Sequence, residues 1–375
     1  MTTALDFTMY HNIINNELSS TASTRHSLNP AIQQPNPEVP VSTQGDLDRA
    51  VKAALPLKSL RNIIEKTENR TIIQQYTPIG VAAAIVRWDF PVYLAIGKIT
   101  QAVYTGNSII VKPSPFTPYC SLELVELAAR FFPPGLVQCL SGDDSLGPMV
   151  KEPSGIDKVS FTGSILTGKR VMASCAKTLK RVTLELGGND PAIICDDVDI
   201  DAVIPKVGIL SYLCSAQICM MIKRLYVHEK IYDTFLQKLV DFVRNLKVGE
   251  GTEEDVFVGG TIQDSADYFI HPTIIDNPPE SSRIVQEEPF APILPVLKWS
   301  NERDVIERAN ALETGLGSSV RCKDLDRAQR IADQLQSGTV WVNSHFEQSG
   351  MGVEWGLAGL LGYCNSQTQW LNKSP

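Results

Sequence analysis

A few short stretches carry residue types that do chemistry. LELGGND (184–190) sets Glu185 just before a glycine pair. A carboxylate at a strand-to-turn corner, beside glycines that let backbone and ligand come close, suits a general base; the pattern equally suits a plain polar corner. SYLCSAQICMMIKR (211–224) holds Cys214 and Cys219, two of the chain's eight cysteines. A thiolate is a strong nucleophile, but free cysteine is also among the most buried residue types, so residue type alone leaves Cys219 open between the two. KVSFTGSILTGKRV (158–171) reads as strand, glycine turn and helix. Backbone N–H groups at a helix start favour a pyrophosphate, yet the G-x-G-x-x-G fingerprint is absent and any βα turn would look the same. NSIIVKPSPFTP (107–118) ends a strand on Lys112, whose simplest reading is a solvated strand-end charge. QEEPFAP (286–292) sets paired carboxylates beside Phe290. They are either a surface acidic pair or a carboxylate on ribose hydroxyls with a ring packed alongside.

The elements that must position these residues alternate. VAAAIV (81–86), NSIIVKP (107–113), LVQCLSG (136–142) and KVSFTGS (158–164) are short apolar or β-branched runs, and SLELVELAARFF (121–132) between them is helical. A second series follows, with strands at PAIIC (191–195), RLYVHE, PILPVLKW (292–299) and GTVWVN (338–343). The apolar spacing over 231–248 predicts a helix, and DLDRAQRIADQLQSG (324–338) predicts another, stopped at Gly338. SYLCSAQIC reads as the end of an apolar helix running into a strand. Strand–helix alternation implies βαβ units and parallel sheets, here two α/β layers in tandem. IIQQY, from position 72, looks like a hairpin strand. Residues 28–45 are rich in Pro, Asn and Gln and lead into a helix capped near Thr43 or Asp46 and cut short by Pro56.

Bulk properties narrow the class. The 375 residues are 43% hydrophobic and 20% charged, which suits a globular protein of two or three domains. The net charge is −8, with no Lys/Arg run to track phosphates, so no nucleic-acid partner is expected. The longest apolar run, IGVAAAIV (79–86), is too short to span a bilayer, and MTTALDFTMYHN lacks the pattern of a signal or transit peptide. No membrane partner is expected, and the cytoplasm is the expected location. No C-x-x-C and no Cys/His cluster of metal-ligand spacing occurs, so the cysteines read as reduced thiols and no metal is expected.

Taken together, the chain resembles the aldehyde dehydrogenase superfamily over about residues 77–375, and more loosely over 1–60. The resemblance rests on RWDFP (87–91), TGNSIIVKPSPFTP, FFPPGLVQCLSG, KVSFTGS, LELGGNDP, SAQIC, YFIHPTI (268–274), QEEPFAP, SGTVWVNS and SGMGVEWG (349–356), in the family's order, with its 34-residue step from Glu185 to Cys219. It implies an α/β fold. A Rossmann-like NAD(P)-binding domain would span 1–63 plus 79–186, and a catalytic domain 187–345. A small β oligomerisation hairpin would use 64–78 with the C-terminal strand at 361–375. It implies an oxidoreductase that turns an aldehyde into a carboxylic acid. Cys219 would attack the carbonyl to give a thiohemiacetal, hydride would pass to the nicotinamide, and Glu185 would activate the water that hydrolyses the thioester. For the cofactor it implies Lys112 on the adenine ribose and Phe161, Thr162, Gly163 and Ser164 near the pyrophosphate, with Gly147 beneath it. Trp88, Leu186 and Gly187 would lie toward the nicotinamide, and Glu288 and Phe290 on its ribose. The partners implied are a small aldehyde and other copies of the chain, as a homodimer or homotetramer.

Several residues depart from the family pattern. Asp89 stands where the family has an Asn that donates to the oxyanion; an ionised Asp has no proton to donate, whereas a protonated one does, and burial would favour that form. Pro115 stands where many NAD-preferring members carry a ribose-binding Glu, which leaves NADP open beside NAD. Cys214 stands near the nucleophile and reads as structural. Ala216 replaces a Gly, and Asn189 a Lys. The chain is shorter than family subunits, with abridgements between Pro56 and Thr77, between EDVFVGG and TIQDSADYFI, and between HFE (345–347) and QSGMG. Two readings follow: an active aldehyde dehydrogenase, or a catalytically impaired or inactive shortened relative that binds cofactor or partners.

Overall fold

The computed structural model describes residues 5–30, 32–53, 60–143, 145–151, 155–249, 270–347, 354 and 356–373. Pro56, most of SGMGVEWG and the sites of the abridgements around 251–269 and 348–353 lie outside the described residues. The chain forms two compact units. The first comprises 1–29, 34–186 and 353–375; the second comprises 30–33 and 187–352.

The first unit is built on a seven-stranded sheet. Five strands are parallel, in the order Arg181–Glu185, Lys158–Thr162, Val81–Ile85, Ser108–Lys112, Val137–Cys139. The strands Asn12–Ile14 and Glu17–Ser19 extend the sheet antiparallel beyond Val137–Cys139. Helices cover the parallel strands, which is why those strands read as continuous apolar runs rather than alternating ones. Ala83, Ile85, Ile110, Val159 and Phe161 pack with Leu47, Val171 and Cys175 from the helices. The helix Gln44–Ala53 starts on a reciprocal cap: Thr43 Oγ1 accepts from the Asp46 N–H, and Asp46 Oδ2 accepts from the Thr43 N–H at 2.8 Å. A separate antiparallel sheet joins Leu60–Lys66, Arg70–Pro78 and Cys364–Asn372, with Arg70–Pro78 in the middle.

The second unit is a six-stranded parallel sheet in the order Thr273–Asp276, Ile293–Trp299, Ile222–His228, Asp190–Ile194, Gly317–Arg321, Thr339–Val342. Side chains alternate between its two faces. Ala192, Ile194, Leu225 and Val227 pack under the helices Ile200–Tyr212 and Tyr232–Arg244. Ile193, Cys195 and Tyr226 face a core with Val305, Ala328 and Ile331.

Two expected helix ends move most. The helix over 324–338 spans only Leu325–Ala332. The chain turns there to bury Leu335, and the Gly338 N–H already donates to Gly315 O at the approach to the last strand. Glycine therefore marks the strand entry rather than the helix stop. The helix before Cys219 ends at Tyr212, because Cys214, Ser215 and Ala216 all take left-handed conformations (φ 52°, 59° and 57°). Among the described residues no helix is long and apolar enough to cross a membrane.

Candidate active site

Glu185 is the last residue of the edge strand Arg181–Glu185, paired in register with Thr162. Its side chain is only 3% exposed. Burial, and secondarily the Glu354 carboxylate, push its pKa up to about 8, while Lys98 opposes the rise. Neither Glu354 nor Lys98 was singled out by the sequence. Lys98 lies on the helix Pro91–Tyr104, and its Nζ forms an ion pair with Glu354 Oε1 and donates to Ser160 Oγ at 2.9 Å. Ser160 Oγ donates to the same Glu354 oxygen at 2.5 Å, and Gln101 Nε2 donates to Glu354 O. All four side chains are buried. A buried carboxylate is tolerated here because a cation and a hydroxyl satisfy it.

The turn after Lys158–Thr162 ends on Ser164, whose Oγ caps the helix Ile165–Ala176 by accepting from the Thr167 N–H. The Gly163 N–H donates to Glu185 O at 3.0 Å, and a Cβ at Gly163 would collide with the Phe161 ring. Leu186 packs against Gly168 on the same helix. Thr162 Oγ1 is buried and meets no hydrogen-bond partner, and a Cβ on Gly147 would meet nothing within 4 Å. An unused hydroxyl beside a helix N-terminus, with open space at a glycine, fits a polar ligand such as a pyrophosphate. Lys112 is buried at 5% exposure, so the reading of a solvated charge is wrong: the strand Ser108–Lys112 is internal to the sheet, and its end is covered.

Asp89 lies with Trp88 between the strand Val81–Ile85 and the helix Pro91–Tyr104, where Thr117 Oγ1 donates to Trp88 O. It is buried and paired with Arg87, whose Nε stands 2.9 Å from Asp89 Oδ1. The guanidinium favours the carboxylate over the protonated form entertained from burial alone.

In the second unit Cys219 sits on the segment between the left-handed turn at 214–216 and the strand Ile222–His228, not on a helix, and is buried. A Cβ on Gly188 would lie 3.3 Å from Cys219 O, so the glycine pair permits close passage of the cysteine's main chain. Gly187 is left-handed (φ 56°), and a Cβ there would strike the Glu288 carboxylate. Glu288 Oε1 is held by Lys223 Nζ at 2.6 Å, and the same ammonium lies 4.6 Å from the centre of the Phe290 ring. Lys223 was not singled out either. Asn189 Nδ2 donates to Val285 O at 2.9 Å, which gives the Asn at that position a structural role.

The aldehyde dehydrogenase family model matches residues 55–267 and 255–368. Aldehyde dehydrogenase LUC3 of a Fusarium species is 38% identical over 342 residues, covering 82% of this chain and 73% of the relative. An aldehyde dehydrogenase of Agaricus bisporus is 34% identical over 357 residues, covering 84% and 71%. Among solved structures, betaine aldehyde dehydrogenase of Staphylococcus aureus in complex with NAD+ superposes with a TM-score of 0.90 at 26% identity, covering 98% of this chain and 95% of that one. The chain belongs to the aldehyde dehydrogenase family, whose members oxidise aldehydes with NAD(P). Membership favours the enzyme reading over that of an inactive relative.

Proposed function

We propose that the chain oxidises an aldehyde to a carboxylic acid with NAD(P)+, with Cys219 as the nucleophile and Glu185 as the general base. The Cys219 sulfur adds to the carbonyl carbon, and the carbonyl oxygen becomes an oxyanion. When bound, the nicotinamide supplies the hydride acceptor. Glu185 then takes a proton from the water that hydrolyses the resulting thioester, freeing the acid and the thiol. The observation that carries this reading is the Glu185 carboxyl, buried at a strand end with its pKa at about 8. Such a group is a stronger base than an ordinary carboxylate and still ionises near neutral pH. Lys112, Gly147, Phe161, Thr162, Gly163, Ser164, Trp88, Leu186, Gly187, Glu288 and Phe290 would hold the cofactor, as the family resemblance implies. The open Gly147 and the unused Thr162 hydroxyl support that placement. Pro115 presents no carboxylate to repel a 2′-phosphate, which leaves NADP open beside NAD. With Asp89 paired to Arg87, no amide donates to the oxyanion at that position, and turnover is held down.

On this reading the first unit is the cofactor domain and the second the catalytic domain, in the cytoplasm. The outer strand Cys364–Asn372 of the three-stranded sheet, largely exposed, would pair copies into a homodimer or homotetramer. The test is NAD(P)H absorbance with a panel of aldehydes, for wild type and Cys219→Ala. Turnover in wild type and none in the variant is expected. Equal rates would remove Cys219 from the chemistry.

A further inference from the structure

Away from this chemistry, two further cysteines meet at one end of the second unit's sheet. Cys195 and Cys322 each follow the last residue of neighbouring parallel strands, one register step beyond the pair Ile194↔Arg321. The Cys195 N–H donates to Arg321 O at 2.9 Å, which locks that step. Asn343 clamps the other strand end: its Oδ1 accepts from the Cys322 N–H at 2.9 Å and its Nδ2 donates to Cys322 O at 2.8 Å. Both thiols are buried. Asp197 closes the group. Its Oδ2 accepts from the Asp324 N–H at 2.8 Å and from the Cys322 thiol at 3.4 Å. Its Oδ1 is shut off from solvent and meets no hydrogen-bond donor. The two sulfurs and a carboxylate oxygen all lie within 4.8 Å of one another. No sequence motif announces the group, because 125 residues separate Cys322 from Asp197.

We propose that Cys195, Cys322 and Asp197 form a binding site for a soft divalent cation such as Zn2+ or Cd2+, separate from the aldehyde chemistry. Metal–sulfur bonds of about 2.3 Å and metal–oxygen bonds of about 2.0–2.2 Å at tetrahedral angles span about 3.5 Å from sulfur to oxygen. The Cys322–Asp197 separation of 3.4 Å already has that span. Thiolate ligands select such ions over Mg2+ and Ca2+. Each cation bound would displace two thiol protons to solvent and leave three anionic ligands around a +2 centre. The remaining negative charge has a neighbour in Arg327, which acts electrostatically on Cys195 and pairs with Asp196 at 2.7 Å. Two parallel strand ends anchored by main-chain bonds hold two of the ligands in place, so little ordering is left for binding to supply.

The experiment is a Cd2+ titration of the full-length reduced chain, read by the ultraviolet sulfur-to-cadmium charge-transfer band and by equilibrium dialysis. Wild type and Cys219→Ala should each bind one equivalent that Cys195→Ser and Cys322→Ser lack. Asp197→Asn keeps both thiols and should weaken that equivalent about tenfold or more; it serves if a cysteine variant fails to fold. Strand-end variants that bind like wild type would overturn the proposal. So would loss of the equivalent in Cys219→Ala alone, or a disulfide joining Cys195 to Cys322 in the freshly purified protein.

Discussion

If Glu185 is the base for thioester hydrolysis, deacylation must follow its ionisation. With a pKa of about 8, about one-tenth of the molecules carry the base form at pH 7 and about nine-tenths at pH 9, so hydrolysis should rise about tenfold across that range. Replacing Glu354 by Gln keeps the shape that receives Lys98 and Ser160 but removes the charge. Glu354 raises the Glu185 pKa and Lys98 lowers it, so the variant removes the opposing carboxylate while the ammonium stays, and the midpoint moves down. At an effective dielectric of about 20, a unit charge some 5–10 Å from a carboxyl is in general worth on the order of 2 kcal/mol, or one to two pH units. The tenfold rise should then shrink to less than about threefold, with the midpoint nearer pH 6–7. The assay isolates the step: an activated ester acylates Cys219 without cofactor, and release of the acid is followed in a single turnover from pH 6 to 9.5. This separates the base from the ionisation of the attacking thiol. A flat wild-type profile between pH 7 and 9, or an unchanged midpoint in a folded Glu354→Gln variant, would refute the reasoning.

Other outcomes follow from the same geometry. Because the Glu185 pKa is raised on folding, its contribution to stability is fully present below about pH 4.5 and is lost as pH climbs through about 8; urea unfolding at pH 5 and pH 9 should show wild type losing up to a few kcal/mol that Glu185→Gln retains, and parallel behaviour would contradict the shift. Asp89→Asn restores an amide donor where an Arg-paired carboxylate now stands, and turnover should rise, by up to about a hundredfold if the oxyanion forms there; an unchanged or lower kcat would count against the charge argument. Ala216→Gly removes a Cβ from a left-handed position (φ 57°) and should stabilise the chain by about 1 kcal/mol, seen as a higher Tm; a lower Tm would mean that the methyl group's burial outweighs the backbone strain.

The fold was legible where burial on both faces of a parallel sheet leaves unbroken apolar runs. VAAAI, SIIVK and KVSFT are strands for that reason, and their alternation with helices implies the α/β class. Helix ends were less legible. Three residues with β-carbons in left-handed conformations end the helix before Cys219, and sequence reading reserves that conformation for glycine. In the candidate site, Cys219, Glu185 and the FTGS turn carry recognisable residue types. Their partners do not: Lys98 looks like any helix lysine, and Glu354 reaches it across 256 residues of chain. Lys223, which holds Glu288, is one of two adjacent basic residues in an otherwise apolar run. Arg87 is the exception, since it lies two residues from Asp89 and its sign alone argues for the pair. Lys112 reads as solvated in the sequence because a strand-end position says nothing about what covers that end.

The central claim is that the Cys219 sulfur carries the acyl group, and peptide mapping by mass spectrometry after quenching the enzyme with an activated ester tests it most directly. The account expects one acyl group on Cys219, discharged within a turnover in wild type and retained in Glu185→Gln. An acyl group on the exposed Cys120 or Cys214 with Cys219 unmodified, or rapid discharge from Cys219 in the Glu185→Gln variant, would contradict it.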